Sequence, residues 1–205
     1  MHKFGADLLG GYYRDGYILF DGLFLPAEVA KLLAIQKTRP NEPLARLVAA
    51  RDTFTQNSDT SKLLFPRKLS TLVYQITREL TLRAAASQFF DFPEGCLLLS
   101  NKPLPFRQLF CVQKIIMGVI ICLEDSPDQT LPFIPKKAGS ATFINPNQPH
   151  NWSELKGHLL LLAYGPVEVN YTECENDPCT NEYKRKGYTY GDPHTLTTHP
   201  LLLQN

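Results

Sequence analysis

Ile115-Ile-Met-Gly-Val-Ile-Ile-Cys-Leu123 decides how this chain folds, because it is apolar on both parities of an extended strand. Successive side chains of a β-strand leave on opposite faces, so Ile115, Met117, Val119 and Ile121 serve one face while Ile116, Ile120 and Cys122 serve the other. Such a strand must be covered on both sides. Leu159-Leu-Leu-Leu162 repeats the pattern. The pair predicts an α+β architecture in which one sheet carries a second sheet on one face and helices on the other.

Outward from these strands, the second half of the chain reads as short strands at residues 96–100, 106–113, 115–123, 131–134, 141–144, 158–164 and 168–171, with Pro, Gly, Asn and Asp in the gaps. The first half supplies the helices. Val29, Leu32, Leu33 and Gln36 share one helical face behind Pro26, and Leu72, Val73, Ile76 and Leu80 do the same in a helix expected over residues 69–90. Tyr17-Ile-Leu-Phe20, between Asp15-Gly16 and Asp21-Gly22, reads as an opening strand. The 205 residues form a single domain in this reading: a mainly helical cover with an opening strand (1–95), a barrel core (96–172) and a C-terminal arm (173–205).

A hydrophobic fraction of 43% and a charged fraction of 20% exclude disordered and fibrous classes. A net charge of +1 provides no field for nucleic acid or acidic lipid, and Lys184-Arg185-Lys186 reads as a solvated loop. The longest apolar run is about half of the ~20 residues that a spanning helix needs, so no membrane is expected as a partner. Five cysteines, an odd number, three of them (Cys96, Cys111, Cys122) in or beside apolar runs, favour a reducing compartment. Met1-His-Lys-Phe-Gly-Ala-Asp has no signal-peptide core. The expected location is cytoplasmic.

Two stretches carry a resemblance. Tyr12-Tyr-Arg-Asp15-Gly16-Tyr17-Ile-Leu-Phe-Asp-Gly22-Leu-Phe-Leu-Pro-Ala-Glu28-Val, and Gly118-Val-Ile-Ile-Cys-Leu123-Glu-Asp125-Ser-Pro followed by Leu131-Pro-Phe-Ile-Pro135, Gly139-Ser-Ala-Thr-Phe, His150 and Gly157-His-Leu-Leu-Leu-Leu-Ala-Tyr164, resemble the phytanoyl-CoA dioxygenase-like branch of the Fe(II)/2-oxoglutarate-dependent dioxygenases. The likeness lies in order and spacing over most of the chain, with no single specific motif. It implies a double-stranded β-helix, a jelly-roll or cupin-like barrel, with N-terminal helices packed on the outside of one sheet.

The same resemblance implies a metal triad of His-x-Asp on the strand before the one ending at Leu123, completed by a later histidine. His150 matches the later ligand. The earlier segment, Phe106-Arg-Gln108-Leu-Phe-Cys111-Val-Gln113-Lys, holds neither His nor Asp, and the one histidine before position 150 is His2. Cys111-x-Gln113 has the spacing, but a thiolate and a neutral amide substitute poorly for imidazole and carboxylate at an oxygen-activating iron. The family clamps the far carboxylate of 2-oxoglutarate with an Arg; Lys156 and His158 are the basic residues nearest that position, and their parity with Leu160 and Tyr164 would aim them into the barrel. Gln108, Cys111, Gln113, Asn145, Trp152 and Tyr164 are the expected pocket lining.

The resulting expectation is a non-catalytic or atypical protein on the oxygenase fold, with an incomplete triad, no resident cofactor, a binding or regulatory role, and a small molecule or protein as partner. The alternative is an active dioxygenase whose remaining ligands lie elsewhere, with Fe(II) and 2-oxoglutarate as cofactors. A third reading takes Cys174-x4-Cys179 and His194-x4-His199, which have the ligand count of a Cys2His2 zinc site, as a metal-responsive device. Pro193 and Pro200 flank the histidines and keep them off a shared helix, so zinc is not expected and a C-terminal arm docked through residues 201–203 is.

Overall fold

A computed structural model describes residues 6–35, 40–92 and 102–204. The first half contains helices α1 (Ala6–Asp15), α2 (Pro26–Ile35), α3 (Pro43–Ala49), α4 (Ser58–Leu64) and α5 (Arg67–Thr77), with strand β1 (Tyr17–Phe20) between α1 and α2. Strands β2 (Thr81–Phe92), β3 (Leu104–Pro105), β4 (Met117–Cys122), β5 (Ala141–Ile144), β6 (Pro149–His150) and β7 (Gly157–Gly165) follow, then the short helix α6 (Thr180–Arg185) and β8 (Leu201–Gln204). Six strands form one antiparallel, curled sheet in the order β1-β5-β4-β7-β2-β8, and β3 pairs with β6 in a second, two-stranded sheet.

The parity of β4 and β7 sorts the core into two layers. Val119 and Ile121 lie beside Leu162 and Leu160 and pack under the helices, against Leu32, Leu64, Leu69, Leu72, Val73 and Ile76. Ile120 and Cys122, beside Leu161 and Leu159, face the opposite way, into Phe106, Phe110, Phe133 and Trp152. Each fully buried large aliphatic side chain contributes about 1.5–3 kcal/mol relative to an exposed one, so the sheet is held from both sides. The helical cover docks because Leu69, Leu72, Val73 and Ile76 follow the i, i+3, i+4, i+7 spacing of one buried stripe. Gly139 (φ +83°) fixes the start of α2 against the sheet: a Cβ there would stand 2.4 Å from the Phe24 carbonyl oxygen.

Several expected elements differ. The helix over 69–90 ends at Thr77, where Arg78 takes a left-handed backbone (φ 61°), and residues 81–92 are strand. Ala84, Ala85 and Ala86 are fully buried where β2 runs beside β7, Ala84 in the layer under the helices and Ala85 and Ala86 in the aromatic layer, and this placement outweighs alanine's helical preference. Residues 106–113 are no strand: Phe106–Leu109 is a 3-10 turn, and Phe106, Leu109 and Phe110 enter the core at turn spacing. Residues 131–134 form a turn closed by the Ile134 amide on the Leu131 carbonyl. Residues 168–171 make isolated bridges, Val112 with Tyr171 and Asn170 with Pro193. The strand expected over 96–100, with Cys96, lies outside the described residues. Residues 201–203 dock as expected, as part of the edge strand β8. Among the described residues no helix is long and apolar enough to cross a membrane.

Candidate functional site

His150 sits on β6, paired with Leu104 of β3, at the mouth of the layer opposite the helices. Its ring centroid lies 4.3 Å from that of Phe133 and 5.9 Å from that of Trp152. Trp152 is fully buried, donates its indole N–H to the Leu104 carbonyl at 2.7 Å, and touches Phe133 and Phe106 at 5.3 and 5.8 Å between centroids. Phe110 continues the stack 5.2 Å beyond Phe106. Beneath Phe106 lies Gly118, where a Cβ would meet ring atoms at 2.7 Å. Absence of a side chain at Gly118 lets the ring lie directly on β4.

These contacts determine the chemistry open to His150. Burial pushes its pKa below the ordinary value, so the imidazole is neutral at pH 7. Its Nε2 is buried without a hydrogen-bond partner. A neutral imidazole nitrogen suits a metal, but iron needs further N or O ligands, and no cluster of three or more His, Cys, Asp or Glu able to hold a metal occurs among the described residues. The surrounding aromatic rings offer no donor atoms. Iron does not fit this set.

The remaining expected residues do not converge on His150. Leu160 and Tyr164 do share a face, but it is the helical one: Tyr164 packs at 5.2 Å on Phe65 and lies in the core under the helices, so its place in a pocket with Trp152 is corrected. His158 has the same parity and therefore points away from the aromatic layer; its Nδ1 stands 2.7 Å from Asp91 and its Nε2 3.6 Å from Glu124. Lys156 is half-buried beside it in sequence, its carbonyl accepting from Gln129. Cys111 is enclosed with Tyr171 and Tyr183, its Sγ 3.0 Å from Thr180 Oγ1. The Gln113 backbone N–H donates to the Asn170 carbonyl, and the Gln108 backbone carbonyl accepts from Cys174 Sγ. Asn145 borders a separate hollow of about 340 Å³ with Tyr12 and Ile115.

The C-terminal cysteines and histidines are also not assembled as ligands. His194 and His199 are buried with ring centroids 4.0 Å apart and planes tilted by 35°, a stack instead of a chelate. Around them lies a buried polar network that the sequence reading missed. Arg51 donates to Asp177 at 2.6 Å, and Asp177 also accepts the amides of Cys111 and Cys179. Asp52, in a left-handed conformation, accepts from the Ser87 amide and the Tyr183 hydroxyl. Arg83 donates to the carbonyls of His199, His194 and Val167. The adjacent charges Arg51-Asp52, between apolar Leu47 and Phe54, were the available signal.

No protein-family model matches the chain, and no curated protein matches it. Solved structures do. The non-heme alpha-ketoglutarate-dependent carbocyclase SnoK of nogalamycin biosynthesis superposes with a TM-score of 0.69 at 11% identity, over 97% of this chain and 96% of SnoK. The epimerase SnoN of the same biosynthesis gives 0.63 at 17%, over 96% and 97%. CytC3, solved with Fe(II) and alpha-ketoglutarate, gives 0.54 at 15%, over 82% and 80%. The chain has the fold of the Fe/2-oxoglutarate-dependent non-heme oxygenases.

Proposed function

We propose that this protein is a non-catalytic binding or regulatory protein on the oxygenase fold, a double-stranded β-helix of the phytanoyl-CoA dioxygenase-like branch whose metal site has been replaced by hydrophobic core. The observation carrying this reading is the Phe106 ring lying on Gly118. Phe106 belongs to the segment in which the resembled enzymes carry His-x-Asp, and with Trp152 and Phe133 it fills the space before His150. Rings stacked at these distances exclude the water and charge that a metal–carboxylate centre requires. Four free cysteines among the described residues fit a reducing, cytoplasmic setting.

A second reading, an active Fe(II)/2-oxoglutarate dioxygenase with non-standard ligands, is favoured by one observation, the unpartnered Nε2 of His150. Anaerobic titration with Mn(II) in the presence of 2-oxoglutarate, followed by NMR of the His150 ring and the Trp152 indole, separates the two. The first reading expects no saturable broadening. Stoichiometric broadening that disappears in His150→Ala establishes the second.

A further inference from the structure

On the helical side of the sheet, a cavity of about 600 Å³ opens between α4 and the turn that leads into β8. Its size falls in the range of small-molecule sites, roughly 300–1,000 Å³. Phe54 and Phe65, edge to face at 5.3 Å, form the floor with Leu201 and Leu202. Both phenylalanines belong to the core under the helices, so the cavity and the His150 layer lie on opposite faces of the sheet.

The lining combines this apolar floor with cations. Lys62 and Arg67 stand exposed at the rim, and no carboxylate is among the lining residues. Among the described residues Lys62 pairs with Asp59 alone, at 3.6 Å and exposed at both ends, a weak pair. The Arg67 guanidinium has no ion-pair or hydrogen-bond partner among the described residues. An apolar body would be desolvated by the floor while an anionic head met two otherwise underused cations.

We propose that this cavity binds a small apolar organic acid, with its hydrocarbon part on Phe54, Phe65 and Leu202 and its carboxylate toward Lys62 and Arg67. The two walls come from distant parts of the chain, α4 on one side and Thr197 to Leu202 on the other. Among the described residues strand β8 pairs with β2 alone, over an irregular register between Leu82 and Arg83. A ligand spanning the walls therefore ties this edge strand and its preceding turn to the helices. The site is independent of whether the His150 layer holds a metal.

The probes are decanoate and its neutral counterpart decanol, titrated calorimetrically into the full chain, with hydrogen exchange as a second readout. Decanoate is expected to bind one to one, more tightly than decanol, and to slow exchange of the Leu201, Leu202 and Leu203 amides. Lys62→Glu with Arg67→Glu, two surface changes that leave the core intact, is expected to weaken decanoate about tenfold, each reversal contributing on the order of threefold, while decanol changes little. Added salt is expected to weaken decanoate binding. Failure of decanoate to bind, binding indifferent to the charge reversals, or protection absent from β8 would each overturn the assignment.

Discussion

Replacing Gly118 by alanine tests directly whether Phe106 fills the space beside β4. The added Cβ would stand 2.7, 2.8 and 2.9 Å from three ring atoms of Phe106, whereas carbon atoms pack best at about 3.5–4.0 Å. The ring is fully buried and held by Phe110 and Trp152, so it has no free rotamer to retreat into. Overpacking of this kind costs about 1–3 kcal/mol, offset by about 0.5–1 kcal/mol because alanine loses less backbone entropy than glycine. Gly118→Ala is therefore expected to destabilise by about 1–2 kcal/mol. Phe106→Ala alone should cost about 3–5 kcal/mol as a cavity-forming change. In the double variant the new methyl enters vacated space, so its loss should fall short of the sum by about 1–2 kcal/mol. Urea unfolding, read by Trp152 fluorescence and far-UV circular dichroism, measures all four corners of the cycle. A neutral Gly118→Ala, or additivity within about 0.5 kcal/mol, would show that the ring is not on the strand, and the aromatic filling would lose its main support.

Three further outcomes follow from buried charge. His194 and His199 are held neutral chiefly by burial, with Arg83 adding positive charge beside both and His199 adding to it at His194 against an opposing Asp52, and each pKa is pushed down to about 3. A depressed histidine pKa means that the unfolded chain binds more protons, so stability is fully present above the unfolded pKa near 6.5 and falls as pH drops toward 3, by about 1.4 kcal/mol per pH unit for each ring. Asp52, whose carboxyl is raised by burial, acts in the opposite sense above its unfolded pKa, so the measured slope should lie below the two-proton limit; urea midpoints from pH 7 to 4 that stay flat would refute the histidine account. Asp177→Ala leaves the Arg51 guanidinium buried and strips an acceptor from two amides, with an expected loss of about 3–5 kcal/mol that a melting curve within a degree of the parent would contradict. Ile120→Asp puts an unpaired carboxylate opposite Leu161 in the aromatic layer. Its cost of several kcal/mol, against a total of about 5–15, should unfold the chain, and a soluble, cooperatively melting variant would disprove the burial.

What could be read from the residues was whatever parity and spacing determine locally. Ile115 to Leu123 and Leu159 to Leu162 announced a sheet covered on both sides, although Ile115 and Ile116 precede β4 and pack in the layers opposite to those their parity implied, and Tyr17 to Phe20 announced the strand that pairs with β5. Parity also said correctly that His158, Leu160 and Tyr164 share a face. It carries no information about which face meets the helices, so Tyr164 and His158 were assigned to the wrong side. Residues 84–86 failed for a different reason: three alanines favour a helix in isolation, and only the pairing of β2 with β7 and the two layers packed on its faces hold these small side chains in a strand. Phe106 to Phe110 was ambiguous because aromatic residues suit either a strand or a buried turn. The Arg51–Asp177 and Asp52–Tyr183 links join residues more than a hundred positions apart, and no local pattern encodes that pairing.

His150 is where sequence position and surroundings disagree most, and a single substitution separates the two. As a packed ring it carries a defect: a buried imidazole nitrogen without a partner costs about 1–3 kcal/mol, and the contacts that hold it, with Phe133 at 4.3 Å and Trp152 at 5.9 Å, are those of one aromatic ring on others. Phenylalanine keeps those contacts and removes the orphan nitrogen, at the expense of a slightly larger ring in a position that is only partly enclosed. His150→Phe should therefore match or exceed the parent in stability by about 1 kcal/mol, and because the depressed imidazole pKa disappears with it, the variant should also lose less stability on acidification. If Nε2 instead serves a ligand, the bound state depends on that nitrogen: His150→Phe would abolish any ligand-dependent rise in melting temperature with Mn(II). A destabilisation above about 2 kcal/mol without metal would show that the imidazole makes a polar contact in the folded protein, and the hydrophobic reading of this layer would have to be abandoned.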